Sequence, residues 1–377
     1  MTSPQHLHIV SFNVPWPADY GGVVDVYYRV RTLATMGVKV HLHCYTYGRK
    51  PAKELEALCE EVCYYRRETL PHHLLSPKPY IVASRCSQQL LRRLRQDNYP
   101  ILLEGLHNGW LLERLDTTQR LVMLRAHNVE HEYYARLSTV ERRPFKRWYL
   151  SMDARKLERY EPLMLKASAV LAVTEADVAH FRSIGCRQVV YMPSSHPMDE
   201  VVSQEGLGNY VLFHGDLSVA ENTDAVGYLA EKVMAGSDYR LIVAGRNPSP
   251  RLYAYKRITI EANPTDERME QLIREAQVNI LFTQQATGLK LKLLHSLYSG
   301  RHCLVNSKMV AGTALSEACT IADTPDAMRQ ALDMLMDTPF TESDIEARRR
   351  HLGTLYSNAS NAQSIIGLME RGCELGE

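Results

Sequence analysis

The segment from Gln284 to Gly300 joins a glycine start to two lysines and a histidine at helical spacing, reading Thr287-Gly288-Leu289-Lys290-Leu291-Lys292-Leu-Leu294-His295. A helix that starts near Gly288 offers unpaired amides and the positive end of its dipole, which suits a diphosphate. Lys292 and His295 lie three residues apart and share one face, while Leu291 and Leu294 can face a sheet. The spacing predicts a cation at the diphosphate and a polar partner one turn deeper. Without that chemistry the segment reads as a solvated amphipathic helix.

A second cluster, Arg125-Ala-His127-Asn128-Val-Glu130-His131-Glu, packs two imidazoles, an amide and carboxylates into a short stretch. Such density suits a polyhydroxylated ligand and proton handling. Zinc is disfavoured here, because His127 and His131 match only the outer pair of HExxH and Asn128 stands where its glutamate would be. Two glycine turns complete the candidates. Gly21 and Gly22 close a Pro-rich loop that lacks the GxGxxG of dinucleotide sites, and Gly215 follows Phe213-His214. A tight turn explains either glycine motif equally well.

These groups follow short apolar runs, and in open α/β sheets ligands lie beyond the carboxyl ends of the strands. Strands are predicted at 7–12, 38–42, 101–104, 121–125, 169–173 and 189–192, then at 210–214, 241–244, 258–261, 278–282 and 303–305. Helical segments separate them, the first at 23–36 before Gly37. The grammar is that of two doubly wound α/β lobes facing a cleft, and 377 residues suffice for both. The first lobe is expected over 1–195 and the second over 210–345, joined by an aperiodic linker with two prolines and two glycines. A helical tail over 346–377, broken near 356–361, is expected to pack back on the first lobe.

Hydrophobic residues at 45% and charged residues at 23% describe an ordinary globular chain and exclude long disorder or coiled coil. No apolar stretch approaches the roughly 20 residues of a membrane span, and the start lacks a basic segment followed by an apolar one. A cytoplasmic protein is expected. Its eight cysteines form no CxxC pair and read as reduced thiols. The net charge of +1 hides about +6 in residues 1–200 and −5 in the remainder. Between Arg142 and Arg159, seven basic residues interleave with Phe145, Trp148 and Tyr149, a composition suited to peripheral contact with an anionic membrane. Nucleic acid is not an expected partner.

At these residues the chain resembles the GT-B glycosyltransferases, in particular the bacterial retaining family 4 enzymes with a HNVE-type sequence in the acceptor lobe. The resemblance implies two Rossmann-like domains and transfer from a nucleoside diphosphate sugar to a saccharide or lipid-linked acceptor in cell-surface glycan synthesis. It puts Lys292 on the diphosphate and His127 on the transferred sugar. Gly215, Arg246, Thr287, Gly288, Leu289, Lys290 and His295 would bind the donor. Gly21, Gly22, Asn128 and Glu130 would shape the acceptor side, with the two glycines letting their loop approach the diphosphate. No cofactor or metal is implied, and the Asp-x-Asp anchor of the GT-A alternative is missing. The family's two donor-lobe glutamates fall on Thr287 and His295. Neutral imidazole still hydrogen-bonds a ribose hydroxyl but cannot accept in bidentate fashion. A non-catalytic nucleotide-sugar-binding protein or partner subunit is therefore the competing reading, ahead of a GT-B epimerase.

Overall fold

Runs of apolar residues buried on both faces form parallel strands, because only helices packed on either side keep such strands dry. The run at His6–Ser11 is β1, and six more strands align with it in parallel. They are β2 (Lys39–Thr46), β3 (Glu61–Arg66), β4 (Ile101–Glu104), β5 (Val122–Ala126), β6 (Ala169–Ala172) and β7 (Val189–Tyr191), in the order β3-β2-β1-β4-β5-β6-β7. The computed structural model describes residues 5–284 and 290–373, and side chains up to residue 371.

A second parallel sheet holds β8 (Val211–His214), β9 (Leu241–Gly245), β10 (Ile258–Ala262), β11 (Val278–Leu281), β12 (His302–Val305) and β13 (Thr320–Ile321). Its order is β10-β9-β8-β11-β12-β13. Both sheets reverse direction between their first strand and the one after the outward series, at β1/β4 and β8/β11, which are the switch points where doubly wound folds bind ligands.

The chain divides into two units, residues 1–197 with 356–377, and residues 198–355. The return of the chain to the first unit is a packing event. Ala362, Ile365, Leu368 and Met369 of the helix Asn358–Cys373 join Val26, Val30 and Leu33 of the helix Gly21–Thr35 in one buried cluster with β1 and β2. Within the first unit, the Asn358 side chain accepts from the His196 amide at 3.1 Å and donates to its carbonyl at 2.7 Å. The helix Glu342–Leu355 belongs to the second unit, where buried Arg348 donates to the Gly300 and Arg301 carbonyls.

Two strands departed from expectation by appearing where none was read. β3 lies at the edge of the first sheet and is only half-buried, so its sequence carries charges, and β13 is two residues long.

Candidate functional site

In the first unit, His127 follows β5 and sits over a buried charge network. Asp25 and Arg29, one turn apart, point inward from the helix Gly21–Thr35. Glu104 closes β4 opposite Arg125 of β5 in the parallel register. Arg29 donates to both Asp25 and Glu104, and the Arg125 Nε donates to Asp25 at 3.1 Å. The Ser195 amide donates to Asp25 at 2.6 Å. The His127 ring spans the two acids, with Nε2 3.0 Å from Glu104 and Nδ1 3.4 Å from Asp25. Burial opposes the ionisation of Asp25, yet Arg125, Arg29 and His127 hold its carboxyl well below the usual carboxylate range. Glu104 is likewise held low, against burial, by Arg29 and the His127 hydrogen bond. Buried ions of this kind persist when each is paired and hydrogen-bonded. The effect is to clamp the imidazole plane.

Glu130 opens the helix Glu130–Val140 and is buried. Burial pushes its carboxyl up to about 7, against a hydrogen bond from Asn128 and the nearby Arg85 charge. It is therefore a group that exchanges a proton near neutrality. Gly22 lies beneath the Phe12 ring, where an added Cβ would meet a ring carbon at 2.9 Å, while Gly21 has open space around it. Phe12 also stacks on His107, whose buried Nδ1 has no partner among the described residues.

In the second unit the helix runs from Leu291 to Ser299, so it begins three residues later than the expected start at Gly288. Thr287, Gly288 and Leu289 lie outside the described residues. Lys290 is the cap and Lys292 falls in the first turn. The Lys292 ammonium donates to the Asn222 side-chain oxygen at 2.8 Å and lies 5.0 Å from the centre of the Phe213 ring. Burial draws it down to about 8, against the pull of Glu221 and with help from Lys290. Asn222 in turn donates to the Asp216 carbonyl at 2.8 Å, beside Gly215. Gly245, ending β9, approaches Gly215 so closely that an added Cβ would sit 1.8 Å from its carbonyl oxygen. Arg246 follows with its side chain 65% exposed and 4.0 Å from Asp266. Gly215, Lys292 and Arg246 thus flank the carboxyl ends of neighbouring strands.

His295 has a partner that the sequence did not reveal. Its Nε2 lies 2.5 Å from Glu270 of the helix Asp266–Glu275. That hydrogen bond holds the Glu270 carboxyl below its ordinary value. The other Glu270 oxygen is buried without a partner among the described residues. A neighbouring helix thus places a carboxylate beside the His295 ring.

Solved structures align along the whole chain. One is a glycosyltransferase from Rickettsia africae ESF-5, at a TM-score of 0.64 and 12% identity, covering 99% of each chain. The fold is GT-B. The lipopolysaccharide-biosynthesis glycosyltransferase WaaG aligns at a TM-score of 0.61 and 13% identity, over 96% of this chain and 99% of its own. The Arabidopsis thaliana UGT89C1 complexed with UDP-L-rhamnose aligns at 0.57 and 13%, over 100% of both. By sequence, a Klebsiella pneumoniae protein described as an uncharacterized 44.6 kDa protein in cps region is 24% identical over 312 residues, 77% of this chain and 79% of that one. No family model matches. In this GT-B chain no helix among the described residues is long and apolar enough to cross a membrane.

Proposed function

We propose that this protein moves a glycosyl residue from a nucleoside diphosphate sugar to a hydroxyl of a saccharide or lipid-linked saccharide, as a family 4-like retaining transferase. The observation that carries this reading is Lys292, a partly desolvated cation on the first turn of a helix at a switch point, held by the neutral Asn222 amide and the Phe213 ring and with no carboxylate in ion-pair distance among the described residues. Breaking the anomeric bond leaves negative charge on the diphosphate. Lys292, the helix amides and the exposed Arg246 side chain would stabilise that charge as it develops. We read the reaction as metal-independent, since these cations do what a metal does at an Asp-x-Asp site. His127 would orient a sugar hydroxyl from its clamped position, Asn128 and Glu130 would line the acceptor side, and Gly21, with open space where a side chain would stand, would let a ligand approach. The UDP-L-rhamnose held by the Arabidopsis neighbour supports the donor class. The relative's cps region and the role of WaaG support a place in polysaccharide synthesis.

Calorimetric titration with several nucleoside diphosphate sugars, joined to a donor-hydrolysis and transfer assay, tests the proposal. Saturable binding with turnover is expected. Binding without turnover would instead favour the nucleotide-sugar-binding subunit, the reading motivated by His295 and Thr287 at the glutamate positions.

A lipid-linked acceptor calls for a membrane surface. The turn between the helices Glu130–Val140 and Pro144–Tyr160 exposes Val140, Phe145 and Trp148, at 71, 69 and 56%, among exposed Arg142, Arg143, Lys146 and Arg147. Lys146 pairs with Glu141 at 2.7 Å, and the segment still carries an excess of cations beside its aromatic side chains, which suits the boundary of an anionic bilayer. Sedimentation with anionic liposomes should exceed that with neutral ones, fall with salt, and weaken when the four cations become glutamine. Equal sedimentation with both liposome types at low salt would remove the membrane from this account.

A further inference from the structure

Three segments of the first unit converge on one buried carboxylate. Glu161, at the end of the helix Pro144–Tyr160, is 4% exposed. His131 Nδ1, from the helix Glu130–Val140, lies 3.1 Å from its Oε1, and His180 Nε2, from the helix Glu175–Ser183, lies 2.7 Å from its Oε2. These two nitrogens and the carboxylate offer ligand atoms that all lie within 4.8 Å of one another. We propose that His131, Glu161 and His180 form a zinc site.

Two imidazoles and one carboxylate make the donor set that zinc takes with three protein ligands and an open fourth position. Metal-bound ligand atoms about 2.0–2.2 Å from a tetrahedral ion stand roughly 3.3–3.6 Å apart, so the present spacing needs only small side-chain adjustments. The imidazole side chains are 20 and 23% exposed, which leaves an entry path and room for a bound water.

The surroundings favour a cation. Glu130, Glu132 and Asp177 cluster around the triad. Glu130 and Glu132 flank His131 on its helix, and Asp177 precedes His180 by about one turn on the helix Glu175–Ser183. A divalent ion would offset this accumulation. The contrast with Asp25, Glu104 and His127 is instructive, since those three also gather ligand atoms within 4.8 Å. There, Arg29 and Arg125 already occupy the carboxylates, and a metal would meet two buried guanidiniums. No arginine or lysine pairs with Glu161 among the described residues. Zinc would tie together the three segments adjoining the Asn128–Glu130 turn. This inference does not depend on the transfer reaction.

The full chain, stripped by chelator and dialysed, should bind one equivalent of zinc chloride in calorimetry, with a rise in its thermal midpoint. Cobalt should give the visible absorption of a tetrahedral site. Replacing both His131 and His180 by glutamine keeps a hydrogen-bond donor toward Glu161 but removes the ligands, and should weaken zinc binding at least roughly tenfold, as should Glu161→Gln. A wild-type chain that binds less than one equivalent, or a variant that binds as tightly as wild type, would overturn the site. Glu161 would then be a hydrogen-bonded clasp between two histidines.

Discussion

The charged groups at the ends of the two sheets are held in opposite ways. In the first unit Asp25, Arg29, Glu104 and Arg125 satisfy one another in the interior, and His127 is fixed on top of them. In the second unit Lys292 leans on a neutral amide, and Arg246 stands mostly in solvent. A self-neutralised network sets geometry and has no use for an added ion. A cation paired with a neutral group keeps its charge available. In the proposed reaction, the first arrangement would position a group and the second would stabilise charge.

The largest effect should come from breaking the first network. Asp25→Ala leaves buried Arg125 with no carboxylate in ion-pair distance among the described residues, beside the Arg29–Glu104 pair, and should cost about 3–5 kcal/mol in denaturant unfolding. A loss under about 1 kcal/mol would mean that water enters the network and that it clamps nothing. In the second unit, Lys292→Ala should leave stability nearly untouched while removing about 1.5–3 kcal/mol of transition-state stabilisation in kcat/KM. His127→Ala should lower transfer with nucleotide affinity unchanged. Parallel losses of nucleotide affinity in both variants would erase the division between the units.

Glu130 sharpens the comparison through pH. Its folded pKa is raised from 4.5 to about 7, so the folded chain holds this proton more tightly than the unfolded chain. The stability this contributes is complete below pH 4.5 and lost as pH rises through 7. Glu130→Gln should therefore raise the thermal midpoint at pH 8, by about 1–2 kcal/mol equivalent, and bring no gain at pH 4.5. An equal gain at both pH values would show that the carboxyl does not titrate in this range.

The smallest effect concerns the second unit's imidazole. Since Glu270 already lies 2.5 Å from His295, His295→Glu would set two carboxylates side by side. It should weaken nucleotide binding by about 1 kcal/mol, and adding Glu270→Gln should restore it. Equal affinity in wild type, single and double variants would take this pair out of the nucleotide site.

Strand positions were legible because burial on both faces writes continuous apolar runs, as at Ile101–Glu104. β3 escaped because an edge strand keeps one side wet and mixes Glu61 and Arg66 into its pattern. The helix bearing Lys292 was legible from spacing, but its partners were not, since Asn222 is 70 residues away and Glu270 is 25. Asp25 and Arg29 left a local trace that went unread: an acid and a base one turn apart, flanked by buried Val24, Val26 and Val30. A surface pair would have polar neighbours on that stripe. Nothing short of three-dimensional proximity links His131 to Glu161 and His180.

The helix Asn358–Cys373 has a consequence for the order of events during synthesis. Residues 198–355 form an unbroken stretch that can close its core as soon as it has left the ribosome. The earlier-made unit still lacks Ile365, Leu368 and Met369, whose burial completes the cluster around β1 and β2. The portion translated first is thus the portion finished last. Until those turns emerge, Val26 and Val30 lack the helix that buries them.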